Sequence, residues 1–148
     1  MVARGFEPIG VGYEGRDVDG LLAVLGSRGV EVLVDVRLNP LSRKRGLSKK
    51  ALSERLAREG IEYRHEPALG NPRDNRDGYA DLHGEPAEQA RSAFRARLET
   101  DEARAALDRI RAAGEARQVA LLCFEADEAH CHREQILDRL RALEPVAP

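Results

Sequence analysis

Two apolar runs constrain this chain more than any other feature. Residues 30–36 (Val-Glu-Val-Leu-Val-Asp-Val) and 119–124 (Val-Ala-Leu-Leu-Cys-Phe) are nearly continuous stretches of aliphatic residues. They are too short for typical helices and too apolar for strands with one wet face, so they read as strands covered on both sides. Such strands belong to a parallel sheet with helices on its faces. The intervening sequence supplies the helices. Asp17 is placed to cap one that carries Val18, Leu21, Leu22 and Leu25 on one face and stops at Gly26 or Gly29. Ser48 is placed to cap a second, through about Arg58, with Leu52 and Leu56 inward and Gly60 at its end. Ala87, Ala90, Phe94 and Leu98 form a third stripe, and Thr100 precedes a fourth of Ala103, Ala106, Leu107 and Ile110. A last helix is expected from about Glu128 to Leu143, with Ile136, Leu137, Leu140 and Leu143 on its core side. Shorter strands are expected at 6–13, where Pro8 limits the early half to an edge, and at 61–65.

The alternation of strand and helix predicts an α/β fold: a single-domain, three-layer sandwich over residues 1–148, with a mostly parallel, Rossmann-like sheet of about four strands. One segment stands apart. Residues 66–85 contain Pro67, Gly70, Asn71, Pro72, Gly78 and Gly84 without sustained periodicity, and read as a long irregular loop. Loops longer than roughly 12–15 residues are uncommon in compact domains and often serve as lids or binding loops. Hydrophobic residues make up 42% of the chain and fall in periodic runs, which excludes a disordered polymer. No apolar stretch approaches the roughly 18 residues that span a bilayer, and the first residues lack the apolar middle of a secretion signal. With only two cysteines there is no disulfide framework, and the expected location is the cytoplasm.

In open parallel sheets ligands bind beyond the carboxyl ends of the strands, so polar residues just past each strand are drawn toward one crevice. Asp35 and Arg37, two apart at the end of the first apolar run, share a strand face. An arginine fork there suits a phosphate or carboxylate, with Asp35 orienting it or handling a proton, while the loop beyond Asn39-Pro40 presents Ser42 and Arg43. The alternative is a structural ion pair. Charge points the same way: the 28 residues from Arg37 to Arg64 hold nine bases and three acids in a chain whose net charge is −2. A local anionic partner, nucleotide or nucleic acid, fits that asymmetry, and a solvated helix face fits it equally.

The second apolar run ends in Cys123-Phe124-Glu125, followed by His130-Cys131-His132-Arg133. If Asp127 caps the last helix, Cys131 sits in its first turns, where the helix dipole and neighbouring cations favour a nucleophilic thiolate. His132 and Arg133 could instead bind an anion with the free amides of that helix. A metal site using Cys123, His130, Cys131 or His132, with His65, is a third reading, but C-x7-C matches no common zinc ribbon and no ligand set is assigned. Cys123 by itself reads as a small core residue. Glu66 and Glu125 are a candidate acid/base pair, and the catalytic candidates are therefore Asp35, Glu66, Glu125 and Cys131. His83 reads as a surface residue. The stretch Gly10-Val11-Gly12-Tyr13-Glu14-Gly15 spells G-x-G-x-x-G, but Glu7 and Pro8 occupy the preceding strand and the helix begins only at Asp17, so a tight turn competes with dinucleotide binding. With three Tyr, three Phe and no Trp, a long stacking platform for single strands is not expected.

Four ordered blocks carry a resemblance. They are Val34-Asp35-Val36-Arg37-x-x-Pro40-x-Ser42; Ser48-Lys49-Lys50-Ala51-Leu52; Ile61-Glu62-Tyr63 with Pro67-x-Leu69-Gly70; and Leu122-Cys123-Phe124-Glu125 with Cys131-His132-Arg133. Together with the Gly12-Tyr13 turn they resemble the bacterial DUF488 family across nearly the whole chain. Glu14 departs from the pattern, standing where many relatives carry a small hydroxyl residue. The resemblance implies a compact α/β domain and supplies no reaction or cofactor.

Overall fold

The computed structural model describes residues 6–142. Its sheet has four strands, β1 (Ile9–Gly12), β2 (Val32–Asp35), β3 (Glu62–His65) and β4 (Val119–Cys123), in the order β1-β4-β2-β3 and all parallel. The two apolar runs are the central pair: every residue of β2 and β4 is buried, whereas β1 and β3 at the edges are partly open.

Alternate residues of the central strands feed two cores. Val32, Val34, Val119, Leu121 and Cys123 face one layer, built from α3 (Glu85–Leu98), α4 (Asp101–Gly114) and α5 (Arg133–Ala142). Leu33, Ala120 and Leu122 face the other, built from α1 (Val18–Ser27) and α2 (Lys49–Arg58). The chain is thus a three-layer α/β sandwich. Right-handed crossovers account for the division: β1 to β2 and β2 to β3 step one way through α1 and α2, and β3 to β4 steps back through α3 and α4 on the opposite face. Where β2 and β4 lie side by side, their following helices leave on opposite faces, which opens a crevice at their carboxyl ends.

Asp17 and Thr100 cap as expected, accepting from the Gly20 and Ala103 amides. Two local expectations are corrected. Ser48 precedes α2 but does not cap it, because its Oγ is engaged by Ser42, accepting from Ser42 N at 2.9 Å. The last helix starts at Arg133; Asp127 caps only a single 3₁₀ turn, Glu128–His130, and Cys131 is extended backbone ahead of α5. Between β3 and α3 the chain makes three 3₁₀ turns, Pro67–Leu69, Arg73–Asn75 and Asp77–Ala80, with Leu69, Asn71 and Tyr79 buried. Leu143 lies outside the described residues. Among those described, no helix is long and apolar enough to cross a membrane.

Candidate active site at the strand ends

The crevice lies where the strand order predicts. Its walls come from Tyr13 beyond β1, Arg37 and Asn39 beyond β2, Cys123 and Glu125 at the end of β4, and Cys131 and His132 before α5. The segment 66–85 contributes Asn71, Arg76 and Tyr79. The narrow part holds about 130 Å³. Whole small-molecule pockets run about 300–1,000 Å³, so this part accommodates a reacting group rather than an entire nucleotide. It opens outward beside Glu14, Arg76, Asp77 and His130.

On the α1/α2 side, Asp35 and Arg37 form a buried, two-pronged ion pair, with Nε to Oδ1 at 2.9 Å and Nη2 to Oδ2 at 2.7 Å. Asp35 also accepts from Arg37 N at 3.0 Å and from Tyr63 OH at 2.5 Å, which fills both carboxylate oxygens. Arg37 Nη1 donates to Leu47 O at 2.7 Å and to Tyr13 OH at 3.4 Å. Burial opposes the Arg37 charge, and Asp35 more than offsets this, so the guanidinium stays protonated. Burial also pushes the Tyr63 hydroxyl up, and the Asp35 charge adds to it. One Nη2 hydrogen of Arg37 has no partner among the described residues. The expected pair exists, and most of its hydrogen bonding is internal.

The α3/α4/α5 side is different. His132 is buried, with its ring edge-on to Phe94, and Nε2 lies 2.9 Å from Val36 O. A carbonyl only accepts, so Nε2 carries the hydrogen and Nδ1 is left to face the sulfurs. Nδ1 is 3.6 Å from Cys131 Sγ and 3.8 Å from Cys123 Sγ. Glu125 Oε2 is 3.4 Å from Cys123 Sγ, and Arg133 N donates to Cys131 Sγ at 3.5 Å. The sulfurs act as a pair. A hydrogen bond from Cys131 pulls the Cys123 thiol down, while burial, then the hydrogen bond to Cys123 and its charge, push Cys131 up. Burial and the Cys123 charge raise Glu125. Burial disfavours charged His132, yet the neighbouring thiolate raises it overall.

The remaining candidates do not converge here. Glu66 does not meet Glu125: Arg109 of α4 grips both its oxygens, at 2.9 and 2.7 Å, and the expected acid pair is replaced by a structural ion pair. Ser42 serves its own loop, accepting from Lys44 N, and Arg43 is exposed away from the crevice. His65 Nε2 donates to Arg37 O at 2.8 Å rather than joining the sulfurs, and His83 is exposed as expected. Arg133 is 1% exposed and lies under β1, its Nη2 donating to Ala126 O at 3.2 Å and its Nε 3.8 Å from Glu128 Oε1.

Arg133 and the segment before it also explain two glycines of the motif. A Cβ on Gly10 would fall 2.8 Å from Arg133 Nε and 2.0 Å from Glu128 Oε1, and one on Gly12 would fall 1.9 Å from Glu125 O. Both glycines let the segment 125–128 cross β1 closely, and of the motif's three glycines only Gly15 has positive φ. The amino terminus of α1 is already occupied by Asp17, so the dinucleotide reading loses its anion seat. Residue-by-residue reading weighed Cys123 as a metal ligand but favoured a core role, because a small apolar residue in an apolar strand reads as core. It missed Asn71, Arg76 and Tyr79, whose only signal was the unusual length of their loop.

The family model described as "Domain of unknown function DUF488" matches residues 17–140. No curated protein and no solved structure matches the chain. The matched span runs from the cap of α1 to the last buried turn of α5 and includes both central strands and the sulfur–imidazole cluster: the chain belongs to the DUF488 family.

Proposed function

We propose that this protein is an enzyme whose reacting centre is the Cys123–Cys131–His132 cluster with Glu125 beside it. The observation that supports the reading is the placement of His132 Nδ1 within 3.6–3.8 Å of two sulfurs, with Nε2 held by Val36 O. An imidazole fixed in that tautomer gives the sulfurs a base or a co-ligand, and Glu125 is within reach of Cys123 for proton transfer. This favours sulfur-centred chemistry over a non-catalytic binding module, which has no use for an oriented imidazole.

The substrate class we infer is anionic, with phosphate-bearing compounds first. The Arg37 Nη2 hydrogen left over from Asp35 and the exposed Arg76 flank the crevice, whereas Arg43 and Arg133 stand elsewhere. Metal-stripped, reduced protein is treated with iodoacetamide in the presence of inorganic phosphate, a nucleoside monophosphate or a short oligonucleotide. Labelling of Cys123 or Cys131 in the folded protein is expected, slowed by phosphate-bearing compounds, with less protection in Arg76→Ala. Label that enters only on unfolding would overturn the reading. Protection by none of the three compounds would overturn its anionic part.

A further inference from the structure

We propose that Cys123, Cys131 and His132 are three ligands of a divalent cation of the zinc class, with the fourth position open to the crevice. The proposal rests on the reading that this cluster is the reacting centre, and it names the ion that centre holds. The first argument is distance. The two sulfurs and Nδ1 all lie within 4.8 Å of one another, and the two sulfur–nitrogen separations are 3.6 and 3.8 Å. A tetrahedral ion with bonds of about 2.3 Å to sulfur and about 2.0–2.1 Å to nitrogen places its ligands roughly 3.5–3.8 Å apart. Both sulfur–nitrogen separations therefore already match the edges of such a tetrahedron, and the sulfur–sulfur separation is within about 1 Å of one.

The second argument is orientation. Metal-bound histidines almost always donate their other ring N–H to a carboxylate, carbonyl or water, which fixes the tautomer and aims the lone pair. His132 has that arrangement, and its acceptor, Val36, continues the central strand and is held by Leu122 O through its own amide at 3.1 Å. Cys123 is the last residue of β4, and the Cys131 sulfur accepts the Arg133 amide that opens α5. One ligand thus ends a central strand, and the other two lie in the short segment before α5, tied to that helix and to the continuation of β2 by these bonds.

Chemistry supplies the third argument. Two sulfurs and one imidazole form a soft donor set that suits zinc over magnesium or calcium. Two thiolates balance a divalent charge, so loading removes the difficulty of burying a thiolate beside a second thiol. The open side faces the crevice, where Glu125, 3.4 Å from Cys123 Sγ, stands beside the exchangeable position as a proton carrier. Three protein ligands with one free position is the arrangement of catalytic rather than structural zinc. The spacing C-x7-C-H conceals it because the first cysteine ends a strand instead of sitting in a knuckle.

The test uses the full chain, reduced and stripped with EDTA, then dialysed against zinc(II) or cobalt(II). One equivalent per chain is expected, and the cobalt form should show a thiolate-to-metal charge-transfer band with the intense d–d bands of a four-coordinate site. Zinc should block DTNB at both cysteines, and EDTA should restore the reaction, a readout that needs no variant. Cys123→Ser, Cys131→Ser and His132→Ala should each weaken binding at least about tenfold. Glu125→Gln should keep full stoichiometry. Binding well below one equivalent, a cobalt spectrum without charge transfer, or unchanged affinity in folded Cys123→Ser would overturn the metal site. If zinc fails while phosphate-bearing compounds still protect the thiols, the sulfur-centred reading stands and the metal alone falls; if the thiols label only on unfolding, the sulfur-centred reading fails by itself, and the metal assignment is judged by the stoichiometry and cobalt spectrum alone.

Discussion

The two sides of the crevice solve the burial of polar groups in opposite ways. On the α1/α2 side, Asp35 takes four hydrogen bonds from Arg37 and Tyr63, and Arg37 spends most of its remaining donors on Leu47 and Tyr13. On the α3/α4/α5 side, two thiols and an imidazole meet at distances of 3.6–3.8 Å, longer than a strong hydrogen bond. A cluster that satisfies itself holds a shape. A cluster kept in place by a carbonyl on one edge and an amide on the other leaves its sulfurs and Nδ1 only weakly paired. The sequence presents both as candidate sites with similar motifs, and the difference lies only in how completely each is paired.

The largest expected effect follows from the saturated side. Asp35→Ala strands the Arg37 guanidinium in the interior and should lower unfolding stability by about 3–5 kcal/mol in urea melts. A change below about 1 kcal/mol would mean that the pair is not the keystone of that wall. Cys131→Ala should behave differently, costing on the order of 1–2 kcal/mol because a small side chain with weak hydrogen bonds is lost. It should nevertheless abolish zinc uptake. Comparing melts with metal content for these two variants separates the structural side from the reactive one.

Glu66 provides a third case, an ion pair with one buried and one open partner. Arg109→Ala leaves a buried carboxylate without its fork, and a loss of about 1–2 kcal/mol is expected after allowing for the exposure of Arg109. Thiol labelling and zinc stoichiometry should not change. A shift in either would show that the pair reaches the crevice after all.

The smallest effect belongs to the outer edge of the sheet. Glu62 is held below the usual carboxylate range, first by its hydrogen bond from Arg64, which outweighs the opposing effect of burial, with Arg117 adding a smaller pull. Because the folded value is lowered, this contribution is present above the unfolded value of about 4.3 and fades as pH falls through the folded one. The pairs are solvent-exposed, so their worth is well under about 1 kcal/mol. Melting temperatures of the parent and Glu62→Gln should converge between about pH 5 and 3. Persistent divergence there would break the contrast between exposed and buried pairs.

Much of the architecture was legible without coordinates. The continuous apolar runs marked the central strands, and the stripes of α3 and α4 named their buried residues, because burial repeats along a chain with the period of its own backbone. Asp17 and Thr100 were readable as caps for the same local reason. Ser48 was not, since Ser42 competes for its oxygen from outside the helix. The start of α5 was set five residues late by a 3₁₀ turn whose capping residue, Asp127, looks the same in sequence as a true helix cap.

The site was only half visible. That Asp35, Arg37, Cys123, Glu125, Cys131 and His132 would gather at one end of the sheet follows from parallel strands, each delivering its following residues to the same edge. Where each polar group finds its partner does not follow. Glu66 turned to an arginine 43 positions away, Arg133 sank beneath Gly10, and Cys123 emerged from an apolar strand into the crevice. Sequence determined which segments are helix, strand and core, because those choices depend on neighbours a few residues apart. Tertiary structure alone decided which charges cancel and which donors stay free, because a hydrogen bond or a ligand bond is made at about 2–4 Å in space, whatever the separation along the chain.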